Sequence, residues 1–67
     1  MTRIEAIKEA YAIFDKIKSY DVDEFTALLI AREFAAWLRD KSNNAEQSNF
    51  YYLVYNELFN IRPKNEV

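Results

Sequence analysis

The sequence predicts an all-α fold, a three-helix bundle with antiparallel neighbours, on three observations. Apolar residues recur at helical spacing in three consecutive stretches, each stretch begins near a residue that caps helices, and the links between them are short and polar. Short links set successive helices side by side and antiparallel. The helices are expected over residues 3–19, 22–41 and 45–62, within one domain spanning 1–62 and a flexible tail at 63–67.

Thr2 and Glu5 have the spacing of a capping box, in which hydroxyl and carboxylate each satisfy a free backbone N–H, so the first helix should start there. Ile4, Ala6, Ile7, Ala10, Tyr11, Ile13, Phe14 and Ile17 gather on one half of its cylinder, and Glu5, Lys8, Glu9, Asp15 and Lys16 on the other. Ala6 and Ala10 are small enough to let a second helix come close.

The first link is expected at Ser19 to Asp21, with Asp21 as the N-cap of the middle helix and Glu24 completing a second capping box. At about 100° per residue, Trp37, Ile30, Phe34, Ala27, Leu38, Ala31, Ala35 and Leu28 fall on one broad arc of that helix, which is expected to be core. A second apolar group, Phe25, Leu29 and Ala36 with Val22 at its edge, falls roughly opposite. Arg32 and Arg39 separate the two groups on one side, and Thr26, Glu33 and Asp40 on the other. A helix apolar nearly all round is buried from more than one direction. The middle helix is therefore the one around which the chain is organised.

Lys41 to Asn44 reads as the second link, with Asn43 or Asn44 starting the third helix and Gln47 at reciprocal spacing from Asn44. Phe50, Tyr51, Val54, Leu58 and Ile61 form the expected inner stripe, extended by Leu53. Pro63 lacks a donor and restricts Arg62, so the helix should stop there. Tyr52, Tyr55 and Phe59 sit beside the inner stripe at i, i+3, i+7 spacing, while Asn49, Asn56 and Asn60 mark the wet side.

Composition narrows the function classes. The chain has 67 residues, near the lower limit for a single core without disulfides or metal, and 51% of them are hydrophobic. It has no cysteine, no histidine and no glycine. A disulfide framework and a glycine-rich phosphate loop are thereby excluded, and a cytoplasmic location is expected. No stretch has the roughly 18 apolar residues of a membrane span, and the N-terminus lacks the pattern of a leader, so a soluble, unprocessed chain with no membrane partner is expected. A net charge of −2 with both signs interspersed offers no footprint for nucleic acid.

Residues that invite sharper readings each have a plainer one. Asp21, Asp23 and Glu24 cluster like metal ligands but lack the longer oxygen array and the glycine turn of a calcium loop, and helix capping accounts for them better. Glu33 and Asp40 have no base or metal beside them in sequence to make an acid–base pair. The hydroxyls of Ser19, Ser42 and Ser48 have no activating partner. Arg32 and Arg39 lie two turns apart, either as a clamp for an anion or a partner's carboxylates or as a solvated stripe paired with acids of the first helix. Trp37 is expected in the core, where its truncation to alanine would cost about 3–5 kcal/mol.

Neither a catalytic residue nor a cofactor or metal is expected. What stands out is apolar surface beyond the needs of one small core: Phe25, Leu29, Arg32 and Ala36 on the middle helix, and Tyr52, Tyr55 and Phe59 on the third, form the expected interface. The expected function is a small noncatalytic protein-interaction module that self-associates as a homodimer through its second and third helices and regulates or inhibits a protein partner. The alternative is a small helical DNA-binding regulator. Against it, the third helix offers Tyr52, Asn56 and Glu57 and no cation before Arg62.

Overall fold

The computed structural model describes residues 2–62. Its three helices, α1 (Arg3–Lys18), α2 (Glu24–Lys41) and α3 (Ala45–Leu58), pack against one another as a three-helix bundle with antiparallel neighbours. The tail expected at 63–67, including the proline stop, lies outside the described residues.

Each helix begins on a side-chain cap. At α1 the predicted capping box forms: Glu5 N–H donates to the Thr2 hydroxyl at 3.2 Å, and Thr2 N–H donates to the Glu5 carboxylate at 3.0 Å. At α3 the Asn44 side-chain oxygen accepts from Gln47 N–H at 2.8 Å. The cap of α2 differs from expectation, being Asp23 and not Asp21. Asp23 accepts the Thr26 N–H and the Thr26 hydroxyl, both at 2.9 Å, so its two carboxylate oxygens are both engaged.

The reason lies in the turn. Asp21 has φ 65, the left-handed conformation that aspartate tolerates better than most residues, and its N–H closes on the Lys18 carbonyl at 3.1 Å. An N-cap needs extended backbone, which Asp23 has at φ −68 and ψ 161. Glu24 reaches Lys18 at 3.2 Å and ties the end of α1 to the start of α2.

The end of α3 also departs from expectation. The helix stops at Leu58, short of the Pro63 boundary, and Phe59 and Asn60 form a turn through Phe59 N–H to Asn56 O and Asn60 N–H to Glu57 O. Leaving the helix early turns Ile61 back into the core, where it is buried.

The centre of the bundle is built on alanine. Ala6 and Ala10 of α1 and Ala27, Ala31 and Ala35 of α2 are fully enclosed, and the largest fully buried side chains are Leu28, Val54 and Leu58. Small side chains let helix axes approach closely, so larger residues at the rim of an arc project past the neighbour instead of into it. Trp37 is a correction on this account: it is 53% exposed and stacked on Phe34 outside the core, with ring centroids 6.2 Å apart. Ile30 and Phe34, expected on the core arc, are exposed as well. Of the eight residues on that arc, only Ala27, Leu28, Ala31 and Ala35 are buried.

Candidate docking faces

Because the alanine face of α2 takes the interior, both of its flanks carry apolar side chains to the surface. On the flank toward α3, Phe25 (61% exposed) and Leu29 share a face with Arg32 and Ala36, at successive spacings of four, three and four residues. Across the seam, Tyr52 and Phe59 (50% exposed) are open to solvent, while Tyr55 is partly buried against the core. Arg32 and Ala36 are of intermediate exposure.

The two arginines of this face are held by rings. The Arg32 guanidinium carbon lies 4.2 Å from the centroid of Phe59, and that of Arg39 lies 5.8 Å from the centroid of Tyr55. Tyr55 and Phe59 meet edge to face at 5.1 Å, an arrangement that places the positive edge of one ring on the negative face of the other. Arg39 also reaches the neighbouring Asp40 at 3.3 Å. The pairing with acids of the first helix expected as the plain reading of these arginines gives way to cation–π contacts with α3. Arg32 Nε is buried and has no hydrogen-bond acceptor. The structure thus brings Arg32, Tyr55 and Phe59 of the expected interface into one cluster, with Phe25, Leu29 and Ala36 continuing it along α2.

The other flank of α2 was not foreseen as a surface. Ile30 and Phe34 of α2 and Tyr20 of the link (70% exposed) stand beside Ile13 and Ile17 of α1, with exposed Trp37 stacked on Phe34. An open, almost wholly apolar groove of about 490 Å³ runs between the two helices, lined by Ile13, Lys16, Ile17 and Tyr20 on one side and by Ile30 and Phe34 on the other. Of the three seams in the bundle, that between α1 and α2 is the least closely packed. The spacing of Ile30, Phe34 and Trp37 signalled an apolar stripe, and nothing in the periodicity said whether a neighbour would cover it.

Three carboxylates and two serine hydroxyls are engaged in local structure. The Glu5 carboxyl is held below its ordinary value by the Thr2 backbone N–H and hydroxyl, and that of Asp23 by the Thr26 N–H and hydroxyl. Glu57 is lowered by the Asn60 side-chain amide and by Arg3, which meets it at 3.0 Å and ties α1 to α3. Ser19 donates its hydroxyl to the Lys16 carbonyl at 2.6 Å, and Ser42 to that of Leu38 at 2.8 Å. Among the described residues no three carboxylates are placed to hold a metal ion, and no helix is long and apolar enough to cross a membrane. Neither a family model, a curated protein nor a solved structure matches this chain.

Proposed function

We propose that this chain is a noncatalytic protein-interaction module of the cytoplasm, which regulates or inhibits a protein partner by occupying its surface through the α2/α3 face. The observation that carries the reading is the ring-held pair Arg32 and Arg39 beside exposed Phe25, Leu29, Tyr52 and Phe59. Aromatic residues and arginine are the types enriched in protein interfaces, where a ring supplies area and a guanidinium supplies a fork for carboxylates. A cation resting on a ring is partly ordered before binding, so less side-chain freedom is lost on docking. The partner segment that fits is apolar with a carboxylate at its edge.

The absence of histidine and cysteine, together with the commitment of the Ser19 and Ser42 hydroxyls to helix carbonyls, favours binding over catalysis. Affinity capture from the source cell, followed by titration of the purified captured protein, tests the reading. A Tyr52→Ala/Phe59→Ala variant should retain helical circular dichroism and lose the captured protein. Retention of that protein at unchanged affinity would overturn the assignment to this face.

A further inference from the structure

We infer that Glu57 is a positioning residue of the α2/α3 face: bridging Arg3 of α1 and Asn60 of the turn, it holds that turn in the pose that seats the Phe59 ring beneath Arg32. For its consequence the inference rests on the docking role proposed for that face, and it adds a determinant on the opposite side of α3. Glu57 precedes Phe59 by two residues, about 200° round a helix, so the two side chains leave the chain on opposite sides. Glu57 reaches α1, and Phe59 meets α2.

The backbone of the turn holds it weakly. Past Leu58 the chain runs on bonds that span three residues: Phe59 N–H to Asn56 O at 3.1 Å, Asn60 N–H to Glu57 O at 2.9 Å and Ile61 N–H to Leu58 O at 3.4 Å. Such bonds have poorer geometry than those of the α-helix and are seldom sustained for more than a few residues. Packing does not fix the turn either. A cavity of about 190 Å³ lies between it and α1, lined by Ile7, Ala10 and Tyr11 on one side and by Glu57, Asn60 and Ile61 on the other. Side chains bordering a gap lack partner atoms on that side, so the burial of Ile61 leaves the turn room to shift. The Glu57 carboxylate spans this gap. Its Oε1 accepts from Asn60 Nδ2 at 3.1 Å and its Oε2 from Arg3 Nε at 3.0 Å, so each oxygen serves a different element. The Glu57 side chain is 13% exposed, and its pair with Arg3 is screened less than one fully open to water. Release of the tie lets the turn relax toward the gap and draws Phe59 away from Arg32. The face then loses the ring-held arginine that is ordered ahead of docking.

Nuclear magnetic resonance of the free chain tests the inference, read at the Arg32 Nε–H and δ-methylene signals. Protons over the face of an aromatic ring are shielded, so these signals are expected upfield of the ordinary arginine range. Glu57→Ala should move them toward that range, while helical circular dichroism and the methyl signals of Leu28 and Val54 stay in place. Arg3→Ala, at an exposed position, should move them the same way and decides the matter if the Glu57 variant fails to fold. Glu57→Gln keeps an acceptor for Asn60 and loses the charge facing Arg3, so its shift should fall between. Arg3→Glu combined with Glu57→Arg should return the signals most of the way, since the Asn60 amide can turn its oxygen to the guanidinium then beside it. A general loss of stability lowers the unfolding midpoint and leaves native-state signals where they are. Arg32 signals unmoved by Arg3→Ala overturn the inference, and so does an exchanged pair no different from Arg3→Glu by itself. Failure of the docking role reads separately, as a captured partner indifferent to Tyr52 and Phe59.

Discussion

The guanidinium of Arg32 rests 4.2 Å from the centre of the Phe59 ring, so that a charged residue of α2 is seated on the aromatic that ends α3 as its C-cap. Arg32 Nε is buried there without a hydrogen-bond acceptor, and the charge of the group faces the ring. The contact joins the middle helix to the turn that returns Ile61 to the core, and it forms the centre of the α2/α3 face.

A double-mutant cycle on Arg32→Ala and Phe59→Ala is expected to give a coupling of about 0.5–1 kcal/mol in urea unfolding, the range of a partly exposed cation–π pair. Additive losses would show that the two side chains are neighbours without being partners.

Trp37→Ala and Leu28→Ala should separate the surface from the interior. Leu28 is enclosed at 2% exposure, and its truncation is expected to cost about 2–5 kcal/mol. Trp37 is half open, and at concentrations where the chain is monomeric its truncation is expected to cost less than about 1 kcal/mol. Equal losses in urea melts of the two variants would put Trp37 back in the core.

Asp21 stands in the left-handed region with φ 65, where a side chain with Cβ is crowded. Asp21→Gly is expected to leave stability unchanged or raise it by up to about 1 kcal/mol, and Asp21→Val to lower it by about 1–2 kcal/mol. Thermal unfolding of the two variants checks the order, and a glycine variant less stable than the valine one would contradict the turn.

Acid should destabilise the bundle through its caps and its α1–α3 tie. Glu5, Asp23 and Glu57 all have carboxyls lowered in the folded chain from ordinary values of 4.5, 3.8 and 4.5. A lowered folded value means that the unfolded chain binds protons first, so the stabilisation is full above those ordinary values and is lost as pH falls through the folded ones. Urea midpoints should be level near neutrality and decline below about pH 4.5. Asp23→Asn keeps an acceptor at the cap while removing one titrating group, so its decline should be shallower. An equal decline in the variant would remove Asp23 from the account.

Local pattern carried much of this fold. Thr2 with Glu5 and Asn44 with Gln47 announce helix starts because a cap involves residues three apart in one chain, a relation the sequence writes out directly. The inner stripe of α3 was legible for the same kind of reason: Val54, Leu58 and Ile61 are buried, with Phe50, Tyr51 and Leu53 packed around them. Asp21 and Asp23 are a harder case, since both are good caps and only the backbone of the finished turn chooses between them. The azimuths of Phe25, Leu29, Arg32, Tyr52, Tyr55 and Phe59 were readable, but the rings beneath the two arginines were not, because those contacts cross from one helix to another.

By itself, the sequence determined three helices, the caps of the first and third, and an apolar content larger than a small core consumes, since these follow from spacing within one chain and from composition. Only the tertiary structure decided which apolar residues stay outside. Periodicity gives a direction around a helix but not the distance to the next one, and here five alanines take the interior while Ile30, Phe34 and Trp37 are left at the surface.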